Sequence, residues 1–219
     1  RKMNRFIILM LVFLVSFIFV FTICFVSANE STVEPKAGGS IVFVQSKAPR
    51  ALDASNFIFD RHSIALGTAI FDQLIYFNTE TGKLLPGLCT EWSASEDCQE
   101  YILKIRKGIK FHDGTPLNAK AVKFTFDRIV NWEKGAKYML TDYDHSEVLD
   151  EYTVKVFFAQ PHSSFLVDIA ANAQLSPVSP TAVKKYGNDE FEKYLIGAGP
   201  FMVKEYVPRD HIIIRKNTD

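Results

Sequence analysis

The chain has 219 residues, 47% of them hydrophobic, and its 25 basic side chains balance 25 acidic ones to give no net charge. That is enough length and apolar content to bury a core. A near-neutral chain without a basic cluster interleaved with aromatics excludes a surface built to neutralise nucleic-acid phosphates.

Arg1, Lys2 and Arg5 precede an uncharged run over residues 6–26 that ends at the small-residue site Val26-Ser27-Ala28. This pattern predicts a secretory signal peptide over residues 1–28. The run is also long enough for an uncleaved membrane anchor, and Cys24 raises lipoprotein processing, although Ile23 is bulky where a small residue is wanted. Met3, not Arg1, is the natural initiator. Residues 29–39, with Pro35 and Gly38-Gly39, read as a linker.

The compact apolar segment 40–45 predicts a strand, and an irregular polar and aromatic stretch follows Leu52-Asp53. Ile64, Ala65, Ala69, Ile70, Leu74 and Ile75 trace one helical face over residues 63–76, closed by an Asn78-to-Gly82 turn. Tyr101, Leu103 and Ile105 alternate with Ile102, Lys104 and Arg106, the period of a half-buried strand. Residues 109–111 form a second extended piece before the Asp113-Gly114 turn. Asn118 is placed to cap a helix whose apolar stripe runs through Ala119, Val122, Phe126, Ile129 and Val130. Residues 133–137 read as a surface loop, and an acidic turn at 150–152 predicts a hairpin ending in the strand 153–158. A helix is predicted over 162–171, a proline-led helix over 180–186, and a strand pair over 201–207 and 211–215. The last residues read as a strand leading into another element, as in a chain cut short.

His112-Asp113 invites a catalytic or metal reading, but a turn in which Asp113 bonds local backbone and His112 packs accounts for the same residues. The five histidines are scattered without metal-ligand spacing, and no Gly-x-Ser-x-Gly elbow occurs. No enzyme activity, metal or cofactor is expected. Removal of the leader would leave Cys89 and Cys98, a pair that in an oxidising compartment suggests a local disulfide, with two free thiols as the alternative.

The unit from Leu85-Pro-Gly-Leu-Cys-Thr-Glu-Trp92 through Phe111-His-Asp-Gly-Thr-Pro and on to Arg128, joined later by Gly197-Ala-Gly-Pro-Phe201, resembles the family 5 extracellular solute-binding proteins. Those receptors deliver peptides, nickel complexes or oligosaccharides to ABC importers. Ala198 stands where the family usually has threonine, and Cys89 and Cys98 where it carries small or polar residues. The resemblance implies an α/β fold of the type II periplasmic-binding-protein kind, truncated: residues 40–76 begin the first lobe, 77–194 form an inserted small domain, 195–219 return to the first lobe, and the second lobe lies beyond. It implies a monomeric, periplasmic or extracellular receptor whose partners are a peptide or other small solute and the permease subunits, which bring it close to the membrane. A nickel-complex or oligosaccharide receptor, or a membrane-anchored interaction protein, is the alternative. By the same resemblance Phe59, Ile64, Tyr138 and Asn172 face the cleft. The two glycines of the later motif are expected to serve a tight turn.

Overall fold

In a computed structural model, residues 38–49, 52–56 and 61–218 are described. The predicted leader, most of the linker and Phe59 lie outside them. No helix among the described residues is long and apolar enough to cross a membrane. Arg1–Val44 and Gln45–Asp219 form separate units. Within the first, residues 41–44 do not form the predicted strand: no described residue pairs with them, and Ile41 and Phe43 stand 95% and 79% exposed. β-branched and aromatic content favours extension, but a strand also needs a neighbour to take its backbone groups.

The second unit is built around a four-stranded antiparallel sheet of order β3-β4-β6-β5, comprising β3 (Cys89–Ala94), β4 (Glu100–Ile105), β5 (Tyr143–Asp150) and β6 (Thr153–Phe158). One face is apolar: Tyr101, Leu103 and Ile105 of β4 and Val154, Val156 and Phe158 of β6 are buried, while Lys104 points outward. This alternation is what a sheet covered on one side requires. The cover includes helix α2 (Ala119–Asn131), which packs on β5 and β6 through Val122, Phe126 and Ile129. Its first turn is capped by Asn118, whose side chain accepts from the Ala121 N–H, as the sequence predicts. Helix α3 (Phe165–Ala171) adds Phe165, whose ring meets Tyr101, Phe126 and Phe158 edge-on at 4.8–5.9 Å.

A second apolar cluster gathers Ile70 and Phe71 from the end of helix α1 (Arg61–Ile70), Val178, Ala182 and Val183 around helix α4 (Pro180–Tyr186), and Phe191 and Leu195. The hairpin β7 (Phe201–Val207) and β8 (His211–Lys216) packs Val203, Tyr206, Ile212 and Ile214 against it.

Helix α1 is shorter than its apolar periodicity predicts. It stops at Ile70, and Ile75–Phe77 becomes strand β1, paired with β2 (Leu84–Pro86). Tertiary partners claim the carbonyls at that end: Gly199 N–H bonds Ile70 O, and Leu88 and Cys89 N–H bond Gln73 O and Leu74 O. The intervening turn matches its prediction, with Asn78 Oδ1 accepting from the Glu80 and Thr81 amides.

Candidate functional site

His112, Asp113, Thr125 and Arg128 of the 111–128 segment each bond a part of the chain remote in sequence. Asp113 Oδ1 accepts from the Thr115 amide and hydroxyl, closing the local turn, while Oδ2 accepts from Ser179 Oγ at 2.6 Å. Ser179 Oγ in turn accepts from the Ala182 amide and so caps α4. Thr125 Oγ1 donates to Ala121 O and accepts from the Val178 amide.

His112 binds the 197–199 segment. Its backbone amide donates to Gly197 O at 2.8 Å, the Gly197 amide donates to Nδ1 at 3.3 Å, and Nε2 lies 3.0 Å from Gly199 O. That pattern assigns a neutral ring with the proton on Nε2. Burial holds the His112 pKa below its ordinary value. The two glycines are required for space and not for a left-handed turn: neither has positive φ, and a Cβ at Gly197 or Gly199 would lie 2.1 or 2.7 Å from the Ile70 carbonyl oxygen.

Arg128, at the end of the motif, reaches the segment after Leu52. Its Nη1 and Nη2 lie 3.1 and 2.5 Å from the two oxygens of Asp53, Nη1 also donates to Ser55 Oγ at 3.1 Å, and Nε donates to Asn188 Oδ1 at 2.8 Å. The guanidinium lies over the rings of Trp132 and Phe191, at 4.4 and 5.4 Å from the ring centres. Both charged side chains are excluded from water, at 3% and 0% exposure. Removing either partner of such a pair strands a buried charge, at a cost of about 3–5 kcal/mol.

Asp53 precedes and Ser55 lies within the short 3-10 turn Ala54–Asn56, which packs against a second one, Ala173–Leu175. Asn56 Oδ1 and Ser176 Oγ, one from each side of this seam, are buried without a hydrogen-bond partner. The structure brings elements carrying three of the predicted cleft residues near it. Ile64 is half-buried on α1, which packs against Ala173–Leu175. Asn172 caps α3 and donates from Nδ2 to Asp168 O. Tyr138 lies in the 3-10 turn Lys137–Leu140, 48% exposed, with Ala136 tied to Ser55 O. Sequence reasoning missed Asp53, Ser55, Asn56, Ser176 and Asn188. For Asp53 the signal was present: Ala121, Thr125 and Arg128 share a face of α2, so an arginine there demands an acid.

The Cys89–Cys98 disulfide is a correction, because both cysteines are free. Cys89 begins β3 opposite Ile105, whereas Cys98 lies in the turn beyond the other end, past Ala94 opposite Tyr101. Five residues of strand, about 16 Å, exceed the reach of a disulfide, about 4.4–6.8 Å between Cα atoms. Burial pushes the Cys89 thiol up to about 12.

Among the described residues no cluster of histidine, cysteine and carboxylate could hold a metal. Ser164, His162 and Asp168 do meet, but Ser164 Oγ donates to Asp168 Oδ2, and His162 Nε2 lies 3.1 Å from that same oxygen. The hydroxyl thus faces a carboxylate and not an imidazole, an arrangement suited to ordering the start of α3.

Residues 83–219 match the family model described as bacterial extracellular solute-binding proteins, family 5 Middle. The chain is 28% identical over 185 residues to the probable D,D-dipeptide-binding periplasmic protein DdpA of Escherichia coli K12, covering 81% of this chain and 36% of that protein. It is 33% identical over 159 residues to the glutathione-binding protein GsiB of the same organism, covering 72% and 30%. A solved structure of the ABC transporter-associated periplasmic binding protein DppA from Helicobacter pylori, in complex with the peptide STSA, superimposes with a TM-score of 0.67 at 26% identity, over 78% of this chain and 38% of that one. The chain thus spans about a third of the length of these proteins.

Proposed function

The chain belongs to the family 5 bacterial extracellular solute-binding proteins, and on that footing we propose that it is the front part of an extracytoplasmic receptor that hands a peptide-class solute to an ABC importer. Its fold is α/β, that of the first portion of a type II periplasmic binding protein. The observation that carries the solute class is the likeness to relatives named for D,D-dipeptide and glutathione binding. The relatives are binding proteins, and the hydrogen bonds of His112, Asp113 and Ser164 serve structure, so the activity is capture and not catalysis. In this reading Ile64, Tyr138, Asn172 and Phe59 line the cleft side, the 40–76, 77–194 and 195–219 divisions are first lobe, inserted domain and return to the first lobe, and a second lobe closes over the solute. Affinity then arises from both faces and from expelled water.

The test is calorimetry on the full-length receptor with dipeptides, glutathione, a nickel–histidine complex and oligosaccharides. Peptide-class binding is expected; binding of nickel or sugar alone would replace the solute class. The 219-residue chain by itself is expected to bind weakly, and micromolar affinity, about −8 kcal/mol, would show that one face suffices.

A further inference from the structure

Tyr186 and Tyr194 meet differently from the rings of the core. Tyr101, Phe126, Tyr143, Phe158 and Phe165 contact one another edge-on, with ring centres 4.8–6.3 Å apart, an arrangement that the ring quadrupole favours. Tyr186 is the last residue of α4, and Tyr194 follows the 3-10 turn Phe191–Lys193. Their rings lie face to face, with centres 3.5 Å apart and planes 15° from parallel. Carbon atoms in contact sit about 3.5–4.0 Å apart, so this separation leaves no lateral offset, and one ring covers the other.

The pair lies at the surface. Tyr194 is 46% exposed and Tyr186 half-buried. Phe191 and Leu195, close to Tyr194 in sequence, are the residues of this turn that are buried in the second apolar cluster. Lys185 hydrogen-bonds the Tyr186 hydroxyl and interacts electrostatically with that of Tyr194, so the two hydroxyl groups lie toward one ammonium. Two phenols held ring on ring within reach of solvent are set up for oxidative coupling, because the stack turns the encounter of two radicals into an intramolecular step.

We propose that Tyr186 and Tyr194 are a site of dityrosine formation by a haem peroxidase using hydrogen peroxide. The peroxidase removes one electron from each phenol, and each O–H proton passes to water. The two phenoxyl radicals carry spin on the ring carbons beside the oxygen, and a carbon–carbon bond forms between two such carbons. The hydrogen on each of these carbons leaves as a proton, and each oxygen takes a proton back. The chain thus loses two electrons and two protons, which hydrogen peroxide accepts to become two molecules of water. Tyr101 and Tyr143 lack this route, since the rings they contact are phenylalanines, which form no phenoxyl radical. The product is a staple across residues 186–194. It closes the loop that carries Asn188, which accepts from Arg128 Nε, and Phe191, whose ring lies beside the Arg128 guanidinium.

Peptide mapping after peroxidase treatment tests the site. Trypsin cuts after Lys185, Lys193 and Lys204, which puts the two tyrosines in separate peptides, 186–193 and 194–204. The full-length protein, kept dilute and treated with a haem peroxidase and hydrogen peroxide, is expected to yield these peptides joined as one species. That species is lighter than their sum by two hydrogens and shows dityrosine fluorescence. The free peptides, mixed at the same concentration, are expected to couple at least about tenfold less, because proximity comes from the fold. Tyr186→Phe and Tyr194→Phe keep a ring in the stack and remove the phenol, and each is expected to abolish the species. Separate peptides after treatment, a joined species that survives either substitution, equal coupling of the free peptides, or links found only between molecules overturns the site.

Discussion

The His112 ring accepts from the Gly197 amide only while it is neutral, because Nδ1 then has a free lone pair while Nε2–H serves the Gly199 carbonyl. Burial depresses its pKa, so the unfolded chain takes up this proton at a higher pH than the folded one. The stabilisation is therefore complete above the unfolded value, about 6.5, and is lost as pH falls below it. Melting temperature is expected to decline between pH 7 and pH 5 more steeply for wild type than for His112→Gln, whose amide can accept and donate without titrating; parallel profiles would remove His112 from the account. The cysteines give a second expectation at this scale. With Cys89 buried and its pKa raised, and Cys98 only half-buried, iodoacetamide should label Cys98 in the folded protein and Cys89 only after denaturation. Peptide mapping that finds neither labelled without reductant would restore the disulfide. The free thiols were one of two alternatives open to the sequence, and strand register decided between them.

The elements most legible in the sequence are those whose stability is local or whose partner lies nearby. β4 announces itself through Tyr101, Leu103 and Ile105, and α2 through Asn118 and the stripe ending at Ile129. Replacing Asn118 by alanine is expected to cost about 1 kcal/mol in urea unfolding, the usual worth of such a cap; no change would mean that the Ala119 amide, bonded to Glu151 O, already fixes the helix start. The elements that were misread depend on distant segments. Helix α1 ends early because Gly199, 129 residues further along the chain than Ile70, takes the Ile70 carbonyl, and periodicity through Leu74 and Ile75 carries no trace of that competition. Gly197 was read as a turn residue, whereas its role is to let backbone meet backbone. Gly197→Ala is accordingly expected to destabilise by about 1–3 kcal/mol, the range for overpacking, and thermal melts that match wild type would show that Ile70 can give way.

At the scale of the whole second unit, two apolar clusters are joined by polar bonds from one helix and the turn before it. Leu103, Phe126 and Phe158 belong to the first cluster, Phe71, Val178 and Phe191 to the second, and His112, Asp113, Thr125 and Arg128 bond segments that carry the second. Unfolding of this unit is expected to be a single transition. Trp92 packs on the first cluster and Trp132 stacks on Arg128, so fluorescence of Trp92→Phe and Trp132→Phe variants follows the two ends separately. Midpoints that differ would mean the clusters melt apart. The family was legible because its motif residues are local strings. The seam was not: Asp53 and Arg128 are 75 positions apart, and the pairing of residues 53–56 with 172–176 exists only once the chain has folded.

His112, Asp113 and Arg128 spend their hydrogen bonds inside the protein, while Asn56 Oδ1 and Ser176 Oγ make none. The fasteners are therefore other residues than these two, and a substitution at Asn56 or Ser176 leaves every one of those bonds in place. The same separation lets an engineer redraw the seam without first having to rebuild the scaffold beneath it.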